Sequence, residues 1–255
     1  MKTIDNTILI TGGGSGIGRG LAEAFHRLGN QVIIAGRGQK TLNETTAANP
    51  GMKSVTLDVS DPKSIQSFAA QAMKDYPSLN VLINNAGMMQ PENLLEKLDD
   101  LSDAEKTVTT NLLGPIRLTA ALLPSLWKQP RATIMNVSSG LAFVPLAMTP
   151  IYCATKAAIH SYTQSLRYQL KATKVEVVEL IPPYVQTTLM GDQQADDPRA
   201  MPLDDFIAEV MEILKTQPGV KEVCVKNVYP LRFAAEGGQE KYDQFFNQFN
   251  DAMHK

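Results

Sequence analysis

Short β-branched runs alternate with longer amphipathic stretches along nearly the whole chain. Strand-length apolar runs fall at residues 7–11, 31–35, 53–57, 81–84, 133–138, 175–181 and 222–226. Between them, apolar positions recur at helical spacing over 17–28, 39–48, 62–74, 104–126, 151–171 and 204–215. Continuously apolar strands are buried on both faces, and strands separated by helices pair in parallel. The pattern therefore predicts an α/β chain with a doubly wound, seven-stranded parallel sheet and helices on both faces. Such a sheet grows sideways, so all 255 residues are expected in a single domain, 1–255.

Two stretches break the rhythm. The first, residues 187–202, is polar and carries Gly191 and Pro198, and it is long for a connection. A lid over a binding site is expected around residues 187–217. The second, a tail over 233–255, places Phe245, Phe246 and Phe249 at helical spacing. It reads as a terminal helix that docks an aromatic face on its own domain or at a subunit interface.

Composition narrows the partners. Lys and Arg number 24 against 26 Asp and Glu, without a basic block, which argues against nucleic acid or an anionic membrane. No apolar stretch approaches the roughly 20 residues of a spanning helix, and the first residues lack a signal-peptide pattern. Cys153 and Cys224 form no CxxC or Cys/His cluster, and His26, His160 and His254 have no metal-ligand spacing. The expectation is a reduced, cytoplasmic protein without a metal site.

The first strand runs into Thr11-Gly12-Gly13-Gly14-Ser15-Gly16-Ile17-Gly18 and then directly into a helix. Glycines there let the backbone approach a pyrophosphate, which the free N–H groups of the helix start would face. Gly12, Gly16 and Gly18 are spaced G-x-x-x-G-x-G. Further along come Asn84-Asn85-Ala86-Gly87 after the fourth strand and Asn111 in the next helix. Ser139 then ends the fifth strand, Tyr152 follows thirteen residues later, and Lys156 lies one helical turn on. In this order the chain resembles the short-chain dehydrogenase/reductase family, whose domain is of the Rossmann type. The stretches Ser139-Gly140-Leu141-Ala142-Phe143 and Ile151-Tyr152-Cys153-Ala154-Thr155-Lys156, with Pro182-Pro183, resemble its DltE-like subgroup.

The resemblance implies that Gly12, Gly14, Ser15, Gly16, Ile17 and Gly18 hold the cofactor together with Asn85, Ala86 and Gly87. It places Asp58 and Val59 beside the adenine, although Asp58 also suits the region before a helix. Strand two ends Ala35-Gly36-Arg37, with glycine where NAD sites usually carry an acid. A guanidinium there can bind a 2′-phosphate bidentately, so NADP(H) is expected, with NAD(H) as the alternative cofactor. Arg37 is the expected reader, with help from Lys40; a solvated loop residue is the other reading.

Tyr152 and Lys156, at i and i+4, share a helix face. An ammonium close to a phenol favours the phenolate and eases proton exchange. The resemblance gives Ser139 the substrate oxygen, gives Lys156 the ribose hydroxyls, and gives Asn111 a water in the proton path. Asn111 reads equally as a helix-interior hydrogen bonder. Ser138 points to the other face of its strand and is assigned to structure. Pro182 and Thr187 are expected at the nicotinamide, with Pro183 replacing the family's glycine and removing an N–H.

These residues imply an NADP(H)-dependent oxidoreductase moving hydride between nicotinamide and a carbonyl or alcohol, with Tyr152 as acid/base. Met88, Met89, Leu141, Phe143, Met148, Tyr184, Leu189 and Met190 are expected to form an apolar substrate pocket. The resemblance also implies a homodimer or homotetramer. The rival reading is a catalytically silent NADP(H)-binding sensor or scaffold. A nucleotide-sugar epimerase or dehydratase would call for a longer C-terminal substrate domain.

Overall fold

A computed structural model describes residues 1–93, 95 and 100–253. His254, singled out above, lies outside them. Seven strands, β1 (Thr7–Thr11), β2 (Gln31–Gly36), β3 (Lys53–Thr56), β4 (Leu79–Asn84), β5 (Ala132–Val137), β6 (Val175–Ile181) and β7 (Glu222–Cys224), pair in parallel. Their order is β3-β2-β1-β4-β5-β6-β7, so the winding direction reverses between β1 and β4. Ligands of open α/β sheets bind outside the carboxyl ends of the strands at such a reversal.

The alternation of side chains along each strand divides the core. Ile8 and Ile10 point to a layer containing α1 (Gly16–Arg27) and α7 (Leu203–Thr216), where Phe25 and Phe206 are fully buried. Leu9 points the other way, into a layer with α3 (Pro62–Asp75), α5 (Gly114–Leu126) and α6 (Pro150–Gln169). Burying each such large apolar side chain contributes about 1.5–3 kcal/mol. Helix α2 (Gln39–Ala48) covers the β2–β3 end of the sheet through Leu42, while α8 (Tyr229–Arg232) and α9 (Gln239–Met253) lie beyond β7 in the chain. Among the described residues, no helix is long and apolar enough to cross a membrane.

The helix expected over 104–126 is not continuous. It forms α4 (Ser102–Val108), a wider π turn over Thr109–Leu113, and then α5. Pro115 has no N–H with which to continue the i to i−4 ladder, and the Gly114 N–H instead reaches back to Thr109 O. Gly114 also sits against β3's exit loop: a Cβ there would lie 2.8 Å from Val59 O.

The polar segment after β6 divides in two. Residues 187–202 form a loop stitched by Gln194, whose side chain donates to Val185 O and accepts from Met190 N, at 2.8 and 3.0 Å. Leu203–Thr216, which belonged to the expected lid, is a core helix on α1. In the tail, Asn250 accepts from Ala147 N at 2.6 Å and donates to Pro145 O at 3.1 Å. Tyr242 donates to Phe143 O at 3.1 Å, so α9 is fixed to the loop between β5 and α6.

Candidate active site

The carboxyl ends of β1, β4, β5 and β6 open into a cleft of about 730 Å³. Its floor is the glycine turn. Gly12 and Gly16 have φ of +67° and +49°, a region that L side chains disfavour. At Gly18 a Cβ would stand 2.3 Å from Gly12 O and 2.4 Å from Asn85 Nδ2. The turn and the segment after β4 therefore touch backbone to side chain. Thr11 locks them together: its Oγ1 accepts from Asn85 N and Ala86 N, both at 3.0 Å, while Asn85 Nδ2 donates to Thr11 O at 2.9 Å. Ser15, the residue before α1, makes no side-chain cap, so the helix start keeps its N–H groups facing the cleft.

The opposite wall carries the expected chemistry. Ser139, Tyr152 and Lys156 all line the cleft, as do Gly12, Ser15, Gly16, Ile17, Asn85, Ala86, Gly87, Pro182 and Thr187. Ser139 sits where β5 gives way to a short 3-10 turn and accepts from Leu141 N at 3.1 Å. Tyr152 is in the first turn of α6, which Pro150 opens. Burial pushes the Tyr152 phenol above its ordinary value, with the Ser139 hydroxyl acting against that rise. Lys156 is buried as well; desolvation brings it down to about 8, and the charge of Glu179 works in the opposite direction.

The expectation that Lys156 draws the phenol down is not met in this arrangement. Its Nζ donates to Val137 O at 2.9 Å and lies 5.5 Å from the Tyr152 ring centroid. Asn111, inside the π turn, accepts from Met88 N at 2.9 Å and donates to Met88 O at 2.8 Å and Thr155 Oγ1 at 3.3 Å. The side chain thus clamps the backbone just beyond β4 to α6. It also stays near the lysine, because a Cβ on Gly87 would lie 3.4 Å from Asn111 Oδ1 and 3.8 Å from Lys156 Nζ.

The remaining expected cofactor residues, Gly14, Gly18, Arg37, Asp58 and Val59, stand outside the cleft lining, as does Asn111, expected in the proton path. Arg37 is exposed beyond β2 and donates no hydrogen bond to the described residues, although its charge reaches Asp58. Burial opposes the Asp58 carboxylate, but hydrogen bonds from the Ser60 hydroxyl and N–H outweigh it, with help from Arg37, and hold the group low. Asp61, not Asp58, caps α3 through Lys63 N. Val59 packs on Gly114. Lys40 lies 4.0 Å from Glu44.

Seven of the eight expected pocket residues line the cleft; Phe143 does not. Its ring turns outward between His160, at 4.7 Å, and Arg232, at 4.6 Å. Sequence reasoning missed Leu146, Phe249 and Met253, which join the apolar wall around Tyr152. The aromatic spacing of the tail was visible, but its destination was not. Thr11 and the buried ladder Asn84–Asn136–Thr163, with bonds of 2.8 and 2.9 Å, were also missed. Polar residues inside apolar strands were the available signal.

A pH dependence follows from Lys156. Its ammonium persists below about pH 8 and is lost above it, so any reaction that depends on this charge should decline on the alkaline side of that value. Lys156→Met should remove this limb from a pH–rate profile; an identical limb in the variant would refute the assignment. The unfolded chain keeps this proton to about pH 10.4. Stability contributed by the group therefore rises with pH between those two values.

Residues 6–198 match the family model described as short chain dehydrogenase. The uncharacterized oxidoreductase DltE of Bacillus subtilis (strain 168) is 40% identical over 253 residues, 98% of each chain. An uncharacterized oxidoreductase of Staphylococcus aureus (strain MRSA252) is 30% identical over 88% of this chain and 98% of its own. Among solved structures, a short chain dehydrogenase from Burkholderia cenocepacia J2315 in complex with NADP has a TM-score of 0.81. Its identity is 23%, over 96% of this chain and 99% of its own. A short chain dehydrogenase/reductase from Burkholderia phymatum in complex with NAD gives 0.80 at 23% identity, covering 92% and 95%. At such identities the structural likeness speaks for the fold. The match over most of the chain and the relative at 40% identity carry the conclusion: this protein belongs to the short-chain dehydrogenase/reductase family of oxidoreductases, in its DltE-like subgroup.

Proposed function

We propose that the protein is an NADP(H)-dependent reductase of a fairly apolar carbonyl compound, or the corresponding alcohol dehydrogenase, with Tyr152 as acid/base. The observation that carries this reading is the meeting of Ser139, Tyr152 and Lys156 on one wall of a cleft whose floor is the glycine turn. The turn fits a dinucleotide: the positions facing the floor lack the Cβ that would fill it, and the uncapped start of α1 offers N–H groups to a pyrophosphate.

When bound, the nicotinamide supplies hydride to the substrate carbon. The residues of the chain do the rest. Ser139 orients the substrate oxygen by hydrogen bonding. Tyr152 donates its proton to that oxygen as charge develops on it. Lys156, bonded to Val137 O and 5.5 Å from the Tyr152 ring, does not lower the resting phenol. Its role is to offset, by charge and not by contact, the phenolate that remains after transfer, while Asn111 anchors the segment beside it. Met88, Met148 and Met190, with Leu141, exclude water and accept varied apolar shapes.

Cofactor choice rests on the end of β2. Among the described residues a Cβ on Gly36 would meet only Leu42 Cδ2, at 3.8 Å, leaving room for a phosphate beside the exposed Arg37 guanidinium. Arg37→Ala should weaken NADPH about 10–100-fold, the worth of a charge-assisted hydrogen bond, and change NADH far less. Fluorescence titration with both nucleotides checks this; equal losses would overturn the phosphate assignment. NADPH binding without turnover on a broad carbonyl panel would favour the sensor instead.

The two free cysteines fit a cytoplasmic setting. Exposed Trp127, just past α5, and Tyr168 on α6 support assembly as a homodimer or homotetramer through those helices.

A further inference from the structure

Among the described residues, two charged side chains are buried, Lys156 and Glu179, and they are opposite in sign. Buried charges persist in proteins when they are paired and hydrogen-bonded. Glu179 lies within β6 at zero exposure, and its carboxylate is clamped from two sides. Ser138 Oγ donates to Oε1 at 2.6 Å, and His160 Nδ1 lies 3.0 and 2.9 Å from the two oxygens. Ser138 stands between Val137, whose carbonyl holds Lys156, and Ser139, which faces the cleft. His160 lies one helical turn beyond Lys156 on α6. The clamp therefore ties β5, β6 and α6 together directly behind the reaction site.

On β7, neither Glu222 nor Cys224 offers Glu179 a positive charge in place of the lysine. Glu222, its neighbour in β7, is bonded to Arg232 of α8 at 2.8 Å. Cys224 is pushed up to about 12, first by burial and then by Glu222, and stays a neutral thiol. His160, Glu179 and Glu222 bring potential metal donors within 4.8 Å of one another. The Glu179 carboxylate, however, is already engaged by Ser138 and His160, and the Glu222 carboxylate by Arg232.

We propose that Glu179 is a positioning residue: its carboxylate, fixed by Ser138 and His160, keeps the buried Lys156 ammonium charged beneath the reaction site. Its field opposes the desolvation that would otherwise strip the proton from Lys156. By holding the Ser138 side chain behind the strand, it also leaves the neighbouring Ser139 directed into the cleft. The role matters to the reaction only if Lys156 acts there as proposed above, but the charge itself can be read without turnover.

The test is a pH titration of the full-length protein labelled with ¹³C at lysine Cε, followed by NMR, with the Lys156 signal identified by its loss in Lys156→Met. In Glu179→Gln the Lys156 midpoint should fall by about one pH unit, the low end of the effect of a nearby opposite charge. Ser138→Ala removes one clamp and keeps the charge, so its midpoint should stay near that of the wild type. An unmoved midpoint in Glu179→Gln overturns the proposal. So does a Ser138→Ala shift as large as that of Glu179→Gln, which would make the effect one of packing. Should Glu179→Gln fail to fold, Glu179→Met/His160→Leu replaces the pair with apolar groups and carries the same prediction. A protein that turns over no carbonyl would count against the reaction proposed above, while this titration would still decide the part played by Glu179.

Discussion

Tyr152→Phe is expected to slow carbonyl reduction by about 10²–10⁴-fold, the usual contribution of a positioned acid, while the affinity for NADPH stays close to that of the wild type. The substitution removes one hydroxyl and keeps the ring. That ring packs with Met89, Leu146 and Cys153 in the small apolar cluster beside the cleft. Phe satisfies the same contacts, so the melting temperature should change little. The phenol stands in a desolvated site where Ser139 is its polar neighbour, and no nearby side chain of the described residues can replace its proton donor in the same position. Steady-state rates and a nucleotide titration on one preparation check both halves. A variant retaining more than about a tenth of the wild-type rate would remove Tyr152 from the chemistry. Loss of NADPH binding would mean that the hydroxyl serves the cofactor rather than the substrate.

Gly18→Ala should cost about 3 kcal/mol or more, because the new methyl group has no open direction. It would lie 2.3 Å from Gly12 O, 2.4 Å from Asn85 Nδ2 and 2.9 Å from Gly12 C. Two of those atoms are backbone, and the third is held by Thr11 O. Relief would demand moving the glycine turn away from the segment after β4, the geometry proposed above to receive the dinucleotide. A fall in melting temperature of roughly 6–12 °C corresponds to that cost for a chain of this size, with NADPH affinity reduced in parallel. Gly36→Ala is the comparison: its Cβ meets a single leucine methyl at ordinary distance, and its stability should match that of the wild type. Equal stability of Gly18→Ala and Gly36→Ala would show that the turn is softer than its contacts imply.

Much of this architecture was legible because each signal was local. β1 and β6 begin and end where their apolar runs do, at Thr7–Thr11 and Val175–Ile181, and α2 spans Gln39–Ala48 as its periodicity implies. The interruption at Thr109–Leu113 was harder to see, since apolar spacing runs through it unbroken. Its cause, Pro115 after Gly114, acts through a missing N–H rather than through hydrophobicity. Residues of the site were findable where fixed spacing carries them, as with Tyr152 and Lys156 on one helix face.

What was not legible depends on contacts between distant segments. Glu176 and Glu179 look alike in sequence, yet they point to opposite faces of β6. Glu176 is exposed and meets the N-terminal ammonium at 2.9 Å, whereas Glu179 is buried against Ser138 and His160. Strand period separates the two faces, but only the packing of α6 decides which face is dry. In the same way, Phe249 was recognisable as part of an aromatic stripe. That it completes a pocket wall follows from the anchoring of Asn250 on Pro145 and Ala147, about a hundred residues away in the chain.

That anchoring divides labour within the molecule. Helix α9 gives Phe249 and Met253 to the cleft, and none of the residues expected to hold the dinucleotide lies on it. Changes along its inner stripe can therefore reshape which molecules are admitted while leaving the redox apparatus untouched. Selectivity here can drift on a replaceable panel, and the engine beneath it can stay constant.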